Sequence, residues 1–534
     1  MDYIGSEAMA ARIQNKKELS VVVIGGGLGG LSAAAHLSRQ GLQVTLVEQH
    51  EFPGGYATTF DRAGGKYTFD VSLHVTGSTR EEGMLRSALE GAGILDQVET
   101  VELPEICRII TPDHDLIWPR GDPDQVVEQL VQMFPSEAQG IRGFFAEIMV
   151  ILAEAMKSLD RHSSWAKILF PLARRKMWSI RKQTLAEQLD RYVQDEKARF
   201  FLSIFWPFFG LPPSRLSGFY YSIALASILR YGCHCIKHRS QDLSNALMGA
   251  IEAAGGTVLF KTEAAGITLK NGVVTGVELR DGRHLDAHAV ISNASVPATM
   301  EMVLRDSRSG DHSRKVRKYL SKIKSYRPSI STFVVWLGLS REIRGKVQGY
   351  EIFVRRDYDP EAGYRARLAC DSMESSFNVT IHDNAYGGYS RPGTSTVTIT
   401  TLSGYEPWRS FEADYIAGRK EAYLKKKEQI ARRLIGETEK LVIPGLTSMI
   451  EVMDTATPLT NVRYTKNPEG AIYGYEQSVD NSFMTRLGNR TPFKGLYLAS
   501  AWSHPGGGFE PCLFSGVEAF RALARDMAKK RGHW

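Results

Sequence analysis

The sequence predicts an α/β fold: a Rossmann-like dinucleotide-binding domain built from separated stretches of chain, joined to a discontinuous α+β domain that carries apolar, membrane-facing helices. Three observations predict it. Residues 21–48 hold a complete strand–glycine turn–helix–strand–acid signature. After a long helical middle, alternating apolar runs punctuated by Asn271-Gly272 and Asp281-Gly282 return the chain to strand. A last apolar strand, GLYLASA at 495–501, runs into a glycine loop and a final helical pattern.

The elements follow in order. Val21 to Ile24 read as a buried strand, and Gly25, Gly27 and Gly30 fill the pattern G-x-G-x-x-G. The first glycine makes the tight turn, the second lets backbone approach a pyrophosphate, and the third lets the helix pack close to the strand. The phosphates are expected at the positive end of the helix around Leu31 to Arg39. Val44 to Val47 form the next strand, and Glu48 ends it where a carboxylate accepts ribose hydroxyls. Residues 85–160 read as mainly helical, with an extended section near Cys107 to Trp118, and residues 184–230 as helical and apolar. An amphipathic helix is expected over 242–253, ending at Gly255-Gly256. The Asn-Gly and Asp-Gly pairs beyond it mark hairpin turns. Strands are expected at 328–340 and 395–402, a helix over about 411–437, and the last helix over 513–529. The cofactor domain is therefore expected from residues 1–84, 235–300 and 485–534, and the substrate domain from 85–234 and 301–484.

A chain of 534 residues is too long for one core. Its five cysteines are few and irregularly spaced, which argues against a disulfide framework and for a reducing compartment. The start, MDYIGSEAMAARIQNKKEL, shows no apolar core of a secretory signal. The net charge is +7, and residues 161–183 hold seven Lys or Arg and no Asp or Glu, interleaved with Trp165, Phe170, Met177 and Trp178. Basic residues beside Trp and aliphatics suit an anionic membrane surface; a solvated basic face over ordinary core is the plainer alternative. The uncharged stretches 200–214 and 216–229 are too short to span a bilayer, which needs about 20 residues. They fit a greasy substrate tunnel, a dip into lipid or plain core. The expected placement is cytoplasmic and peripheral to a membrane. No nucleic-acid partner is expected, because the basic residues cluster once and without a recognised motif.

The N-terminal pattern continues into Pro53-Gly54-Gly55 and then Phe69-Asp70-Val71-Ser72-Leu73-His74. Later come Ala289 to Ala294, Gly470-Ala471-Ile472-Tyr473-Gly474, Leu496 to Ala499, and His504-Pro505-Gly506-Gly507-Gly508. With these segments the chain resembles, over nearly its full length, the phytoene desaturase, carotenoid isomerase and retinol saturase family within the amine oxidase-like superfamily. Ser72 departs from the family's glycine, Cys233 to Arg239 replace its P-x-G-G segment, and Ser500-Ala501 replace a Gly-initiated pair. The resemblance implies FAD as cofactor. It implies cofactor contacts at Gly25, Gly27, Leu28, Gly29, Gly30 and Glu48, and also at Gly54, Gly55, Ala264, Asn293, His504 and Gly508.

It further implies redox or isomerisation at C=C bonds of a hydrophobic isoprenoid polyene, with an external electron acceptor or donor. The flavin carries the hard chemistry, and protein groups orient the substrate and tune the ring. His74 is one candidate proton-transfer group, because imidazole titrates near neutral pH; Glu510, after the glycine block, is the other. Each also has a plain structural reading, His74 as a hydrogen-bonded histidine and Glu510 as a charge at a helix N-terminus. Cys233, His234, Cys235 and His238 do not fit a standard zinc spacing, so no metal is expected. Cys512 reads as a packed small hydrophobe rather than a covalent flavin tether. Two further readings stay open: an amine oxidase-like enzyme on a smaller polar substrate, and a non-catalytic prenyl-lipid escort protein.

Overall fold

The computed structural model describes residues 19–529 apart from 73–74, 78, 80–82, 159–172, 306–312, 372–375 and 483–484. Its first sheet has five parallel strands in the order Leu496–Leu498, Ala289–Ser292, Ser20–Ile24, Gln43–Val47, Thr257–Leu259. Three distant parts of the chain thus meet in one sheet. Its strands are continuous apolar runs because both faces are covered. Val21, Val23, Val44, Leu46, Ala289 and Ile291 pack on one face, against the helices Leu28–Arg39, Ser240–Ala253 and Phe509–Lys529. Val22, Ile24, Val47, Val290, Leu496 and Leu498 pack on the other, against the antiparallel strands of residues 264–286 and the helix Val296–Leu304. The last helix begins at Phe509, a turn earlier than its apolar pattern indicates, and this puts Glu510 in the first turn.

The second sheet has seven strands, in the order Ile450–Ala456, Ser331–Leu339, Ser395–Ser403, Phe377–Ile381, Glu351–Val354, Glu105–Ile110, Asp115–Pro119. All neighbours are antiparallel except Glu351–Val354 with Glu105–Ile110. Alternation divides its residues between two faces. Phe333, Val335, Leu337, Val379, Val397 and Ile399 pack on the helix Glu421–Leu441. Thr332, Val334, Trp336, Asn378, Thr400 and Leu402 face a large cavity. The helix expected over 411–437 is two, Glu412–Ile416 and Glu421–Leu441, broken at Gly418 with φ +80°.

The expectation of membrane-facing apolar helices needs correction. Phe200, Phe201, Leu202, Phe205 and Trp206 are buried, as are Leu216, Tyr221, Leu225 and Leu229 of the next stretch. They form a single core with Trp118, Phe144 and Ile148, and their inner edge lines the cavity. An apolar run reads the same whether it meets lipid, core or a cavity, and here it turns inward. Among the described residues, no helix is long and apolar enough to cross a membrane. The first part of the basic stretch lies outside the described residues. In the remainder, Met177 and Ile180 are buried beneath Arg175, Lys176 and Lys182, and the Arg181 guanidinium lies 3.8 Å from the centre of the Trp178 ring.

Candidate functional site

The turn after the first strand is built from backbone. Gly25 has φ +92°, a left-handed value that glycine adopts without strain. A Cβ on Gly30 would stand 2.0 Å from the Gly25 carbonyl oxygen, and one on Gly29 would stand 2.1 Å from that of Ala499. The helix Leu28–Arg39 has no side-chain cap, and its first residues, Leu28 and Gly29, face the cavity. Uncapped amides at a helix N-terminus are an anion site once a second feature supplies the ligand's shape. That shape comes from the neighbours. Glu48 accepts the Gly26 N–H at 2.6 Å and the His50 N–H at 2.9 Å, which holds its carboxylate at the cavity wall. Asn293 accepts the Gly27 N–H at 3.1 Å and donates to the Ala499 carbonyl at 2.6 Å, so one amide ties the three segments of the sheet together. Gly54 donates to the Gly26 carbonyl at 2.7 Å, and Gly54 and Gly55 have φ of +124° and +62°. Ala264, His504 and Gly508 also line the cavity.

Other motif elements of the sequence prove to be scaffolding. Asp70 accepts from the Ser240 N–H at 2.9 Å and from the Tyr389 hydroxyl at 2.7 Å, so a buried carboxylate sits at the N-terminus of Ser240–Ala253. A Cβ on Gly507 would stand 2.6 Å from the Tyr473 Cα, and one on Gly474 2.6 Å from Ala501. These two glycine elements therefore pack on each other. Buried Arg486 donates to the carbonyls of Ser503 and Ala501 and to Gln477, and Asn489 donates to the carbonyls of Leu498 and His504. No sequence motif marks Arg486 or Asn489, although they hold the loop that closes the site.

The cavity encloses about 1820 Å³ and is continuous from Gly25, Gly27 and Glu48 to Phe205, Phe208, Phe219, Ile223 and Phe353. Glu510 lies on its wall and accepts the Gly77 N–H at 2.6 Å. Burial pushes its carboxyl above the ordinary carboxylate value, against the pull of hydrogen bonds from Gly77 and Thr76. Burial also lowers His504. Cys512, on the same wall, is pushed up to about 12, which keeps it a thiol at neutral pH. His74 lies outside the described residues. Cys233 and Cys235 are packed in the core around Trp118.

The decisive comparison is with family models: that of the flavin containing amine oxidoreductases matches residues 28–524. The chain belongs to that family. It is an FAD-dependent oxidoreductase. The chain is 26% identical to prolycopene isomerase 1, chloroplastic, of an Oncidium hybrid cultivar, over 98% of this chain and 86% of that one. It is 25% identical to the all-trans-retinol 13,14-reductase of Danio rerio, over 92% of this chain and 83% of the relative. Among solved structures it is similar to a wild-type putrescine oxidase bound to putrescine, with TM-score 0.61 and 14% identity, covering 96% of this chain and 99% of the other. At that identity the likeness speaks for the fold alone.

The residues of this flavin oxidoreductase fit a dinucleotide. The groove between Gly25–Gly29 and Glu48 is walled by backbone, and the Cβ positions of Gly27 and Gly29 are already filled by Asn293 and Ala499 atoms. An amide-lined groove beside a fixed carboxylate suits a pyrophosphate next to a ribose.

Proposed function

We propose that this enzyme carries out desaturation, saturation or cis–trans isomerisation at C=C bonds of a hydrophobic isoprenoid polyene of carotenoid or retinoid type. The observation that carries this reading is the single cavity in which the dinucleotide groove opens into an aromatic and aliphatic chamber. The printed activities of the relatives from Oncidium and Danio rerio support it. When bound, FAD supplies hydride or electron transfer.

The chain's own groups would do the rest. Residues 1–84, 235–300 and 485–534 would hold the cofactor, and 85–234 and 301–484 the substrate. Gly25, Gly27, Leu28, Gly29 and Gly30 would take the pyrophosphate, and Glu48 the ribose. Gly54, Gly55, Ala264, Asn293, His504 and Gly508 would complete the cradle. Phe208, Phe219 and Ile223 exclude water from the reacting bond. Glu510, whose carboxyl burial pushes up, would give a proton to substrate carbon or hold the loop at Gly77 in place. His74 would be a second proton-transfer group.

The direct test is anaerobic incubation of oxidised and then reduced holoenzyme with phytoene, cis-lycopene and retinol in liposomes. Flavin absorbance and product mass are followed together. Conversion of at least one polyene is expected; bound flavin with no turnover on any of them would overturn the reading.

Glu510→Gln separates its two roles. The glutamine carbonyl still accepts the Gly77 N–H, so flavin content should hold. A raised carboxyl is protonated below its shifted value and loses its proton as pH rises through it. The wild-type rate should therefore fall on the alkaline side. The variant should lack that limb and run about 100-fold slower, the scale of general acid catalysis. An unchanged rate and pH profile would leave Glu510 a structural tether.

Membrane contact is proposed for the basic face at Arg174, Arg175, Lys176 and Lys182 beside Trp178. The helix Arg175–Ile180 that carries it also lends Met177 to the cavity wall. Co-sedimentation with anionic vesicles should drop several-fold in Arg174→Glu/Arg175→Glu/Lys182→Glu, and in high salt. Salt-independent sedimentation, equal in both proteins, would remove the proposal.

A further inference from the structure

The cavity wall supplied by the seven-stranded sheet is polar in one region, beside Phe353 and the 3-10 turn Trp206–Phe209. Glu351 there is already engaged: it accepts from Asn378 at 3.0 Å and from the Thr380 hydroxyl at 2.7 Å. Two buried arginines lie close by. Arg355 spends Nη1 on the carbonyls of Val354 and Phe377 and on Asn378, while its Nε and Nη2 are buried without a hydrogen-bond partner. Arg367, on the helix Pro360–Leu368, is only 3% exposed, yet it lines the cavity. Its guanidinium lies over the Trp206 ring at 4.8 Å, and its side chain makes no hydrogen bond or ion pair among the described residues.

Buried guanidinium groups normally satisfy their donors with carboxylates, because an unpaired buried charge is costly. Here Glu351 is the carboxylate that stabilises the Arg355 charge, while Arg367 repels it. Asp357 favours the charged form of Arg367 through space, and burial still lowers Arg367 to about 10. Even so lowered, Arg367 is a cation at neutral pH. Thr400 adds a hydroxyl on the same wall, buried and without a partner. A cation with free planar donors, on the wall of an otherwise aromatic chamber, is what a carboxylate at the end of an apolar chain would bind.

We propose that Arg367 is the receptor for a terminal carboxylate, so that this enzyme takes a polyene acid in preference to the corresponding alcohol or hydrocarbon. This assignment rests on the polyene reading above and narrows it to a class of substrate. Neither relative's printed name, an isomerase of prolycopene or a reductase of retinol, contains an acid.

The test is calorimetric titration of FAD-loaded enzyme with three probes: all-trans-retinoic acid, all-trans-retinol and hexadecanoate. Wild type should bind the polyene acid at least 10-fold more tightly than the alcohol. Arg367→Met should erase that preference through weaker binding of the acid alone, with flavin content unchanged. Arg367→Lys should restore part of it. Equal affinity for acid and alcohol in wild type overturns the proposal without recourse to any variant, and so does a preference that survives in Arg367→Met. Hexadecanoate keeps the two readings apart. Arg367-dependent binding of this saturated acid, with no turnover of any polyene, would uphold the carboxylate receptor and sink the polyene chemistry.

Discussion

Gly30→Ala is expected to yield a colourless protein. The added methyl would stand 2.0 Å from the Gly25 carbonyl oxygen and 3.1 Å from the Asn293 Cβ. Relief requires the helix Leu28–Arg39 to move away from the strand it follows. That strand and helix belong to one core, in which Leu31, Ala33, Ala34 and Ala35 are fully buried. Overpacking of this kind costs about 1–3 kcal/mol or more. The same shift carries the uncapped helix N-terminus out of the groove. Flavin absorbance after purification should be lost, and the thermal midpoint should fall. Gly249→Ala is the control: it lies in the helix Ser240–Ala253 with nothing within 4 Å of a Cβ. Replacing a helical glycine with alanine there should stabilise by about 1 kcal/mol and leave the flavin in place. Were Gly30→Ala to keep stoichiometric flavin, the glycine turn would not be the cofactor cradle.

Glu48→Ala should be nearly as damaging to cofactor binding and much less so to the fold. Its carboxylate accepts the Gly26 and His50 amides and stands at the end of the second strand, facing the cavity. Hydrogen bonds to charged groups are worth about 1.5–3 kcal/mol each. Loss of the proposed ribose contacts, with the Gly26 amide left without its acceptor, should weaken FAD by about 100-fold or more. Glu48→Gln keeps an acceptor without the charge and should fall between. Dialysis followed by the ratio of flavin to protein absorbance reads the order directly. An alanine variant that retains FAD through dialysis would place the ribose elsewhere.

The glycine turn and its neighbouring strands were readable from the chain because their determinants are local. Glycines at 25, 27 and 30, an apolar strand on either side and an acid at 48 are fixed by the geometry of one βαβ unit. The hairpins at Asn271-Gly272 and Asp281-Gly282 were legible for the same reason, since the turn residues set the register. Asn293 emerged through resemblance alone, but its two hydrogen bonds across the sheet depend on contacts hundreds of residues apart.

The apolar wall of the cavity had no such local signature. Which face of 331–339 and 395–403 meets the cavity is decided by pairing between distant strands and by the helix Glu421–Leu441 behind them. Arg367 lies in DPEAGYRARL, a segment that looks like an ordinary solvated helix. Its burial follows from Trp206, more than a hundred residues earlier in the chain. The stretches 200–214 and 216–229 were ambiguous for a different reason: apolarity specifies removal from water, not what replaces it.

The five-stranded parallel sheet also orders events during synthesis. Its edge strand Leu496–Leu498 pairs with Ala289–Ser292, and the helix Phe509–Lys529 covers the face built by Leu28–Arg39. At about 5–20 residues per second, a ribosome needs roughly 25–95 s between the first and last of these strands. Throughout that interval the nascent chain carries an unpaired parallel strand and an uncovered apolar helix face. Until residues 496–529 have been made, that strand edge and that helix face stay open to wrong pairing.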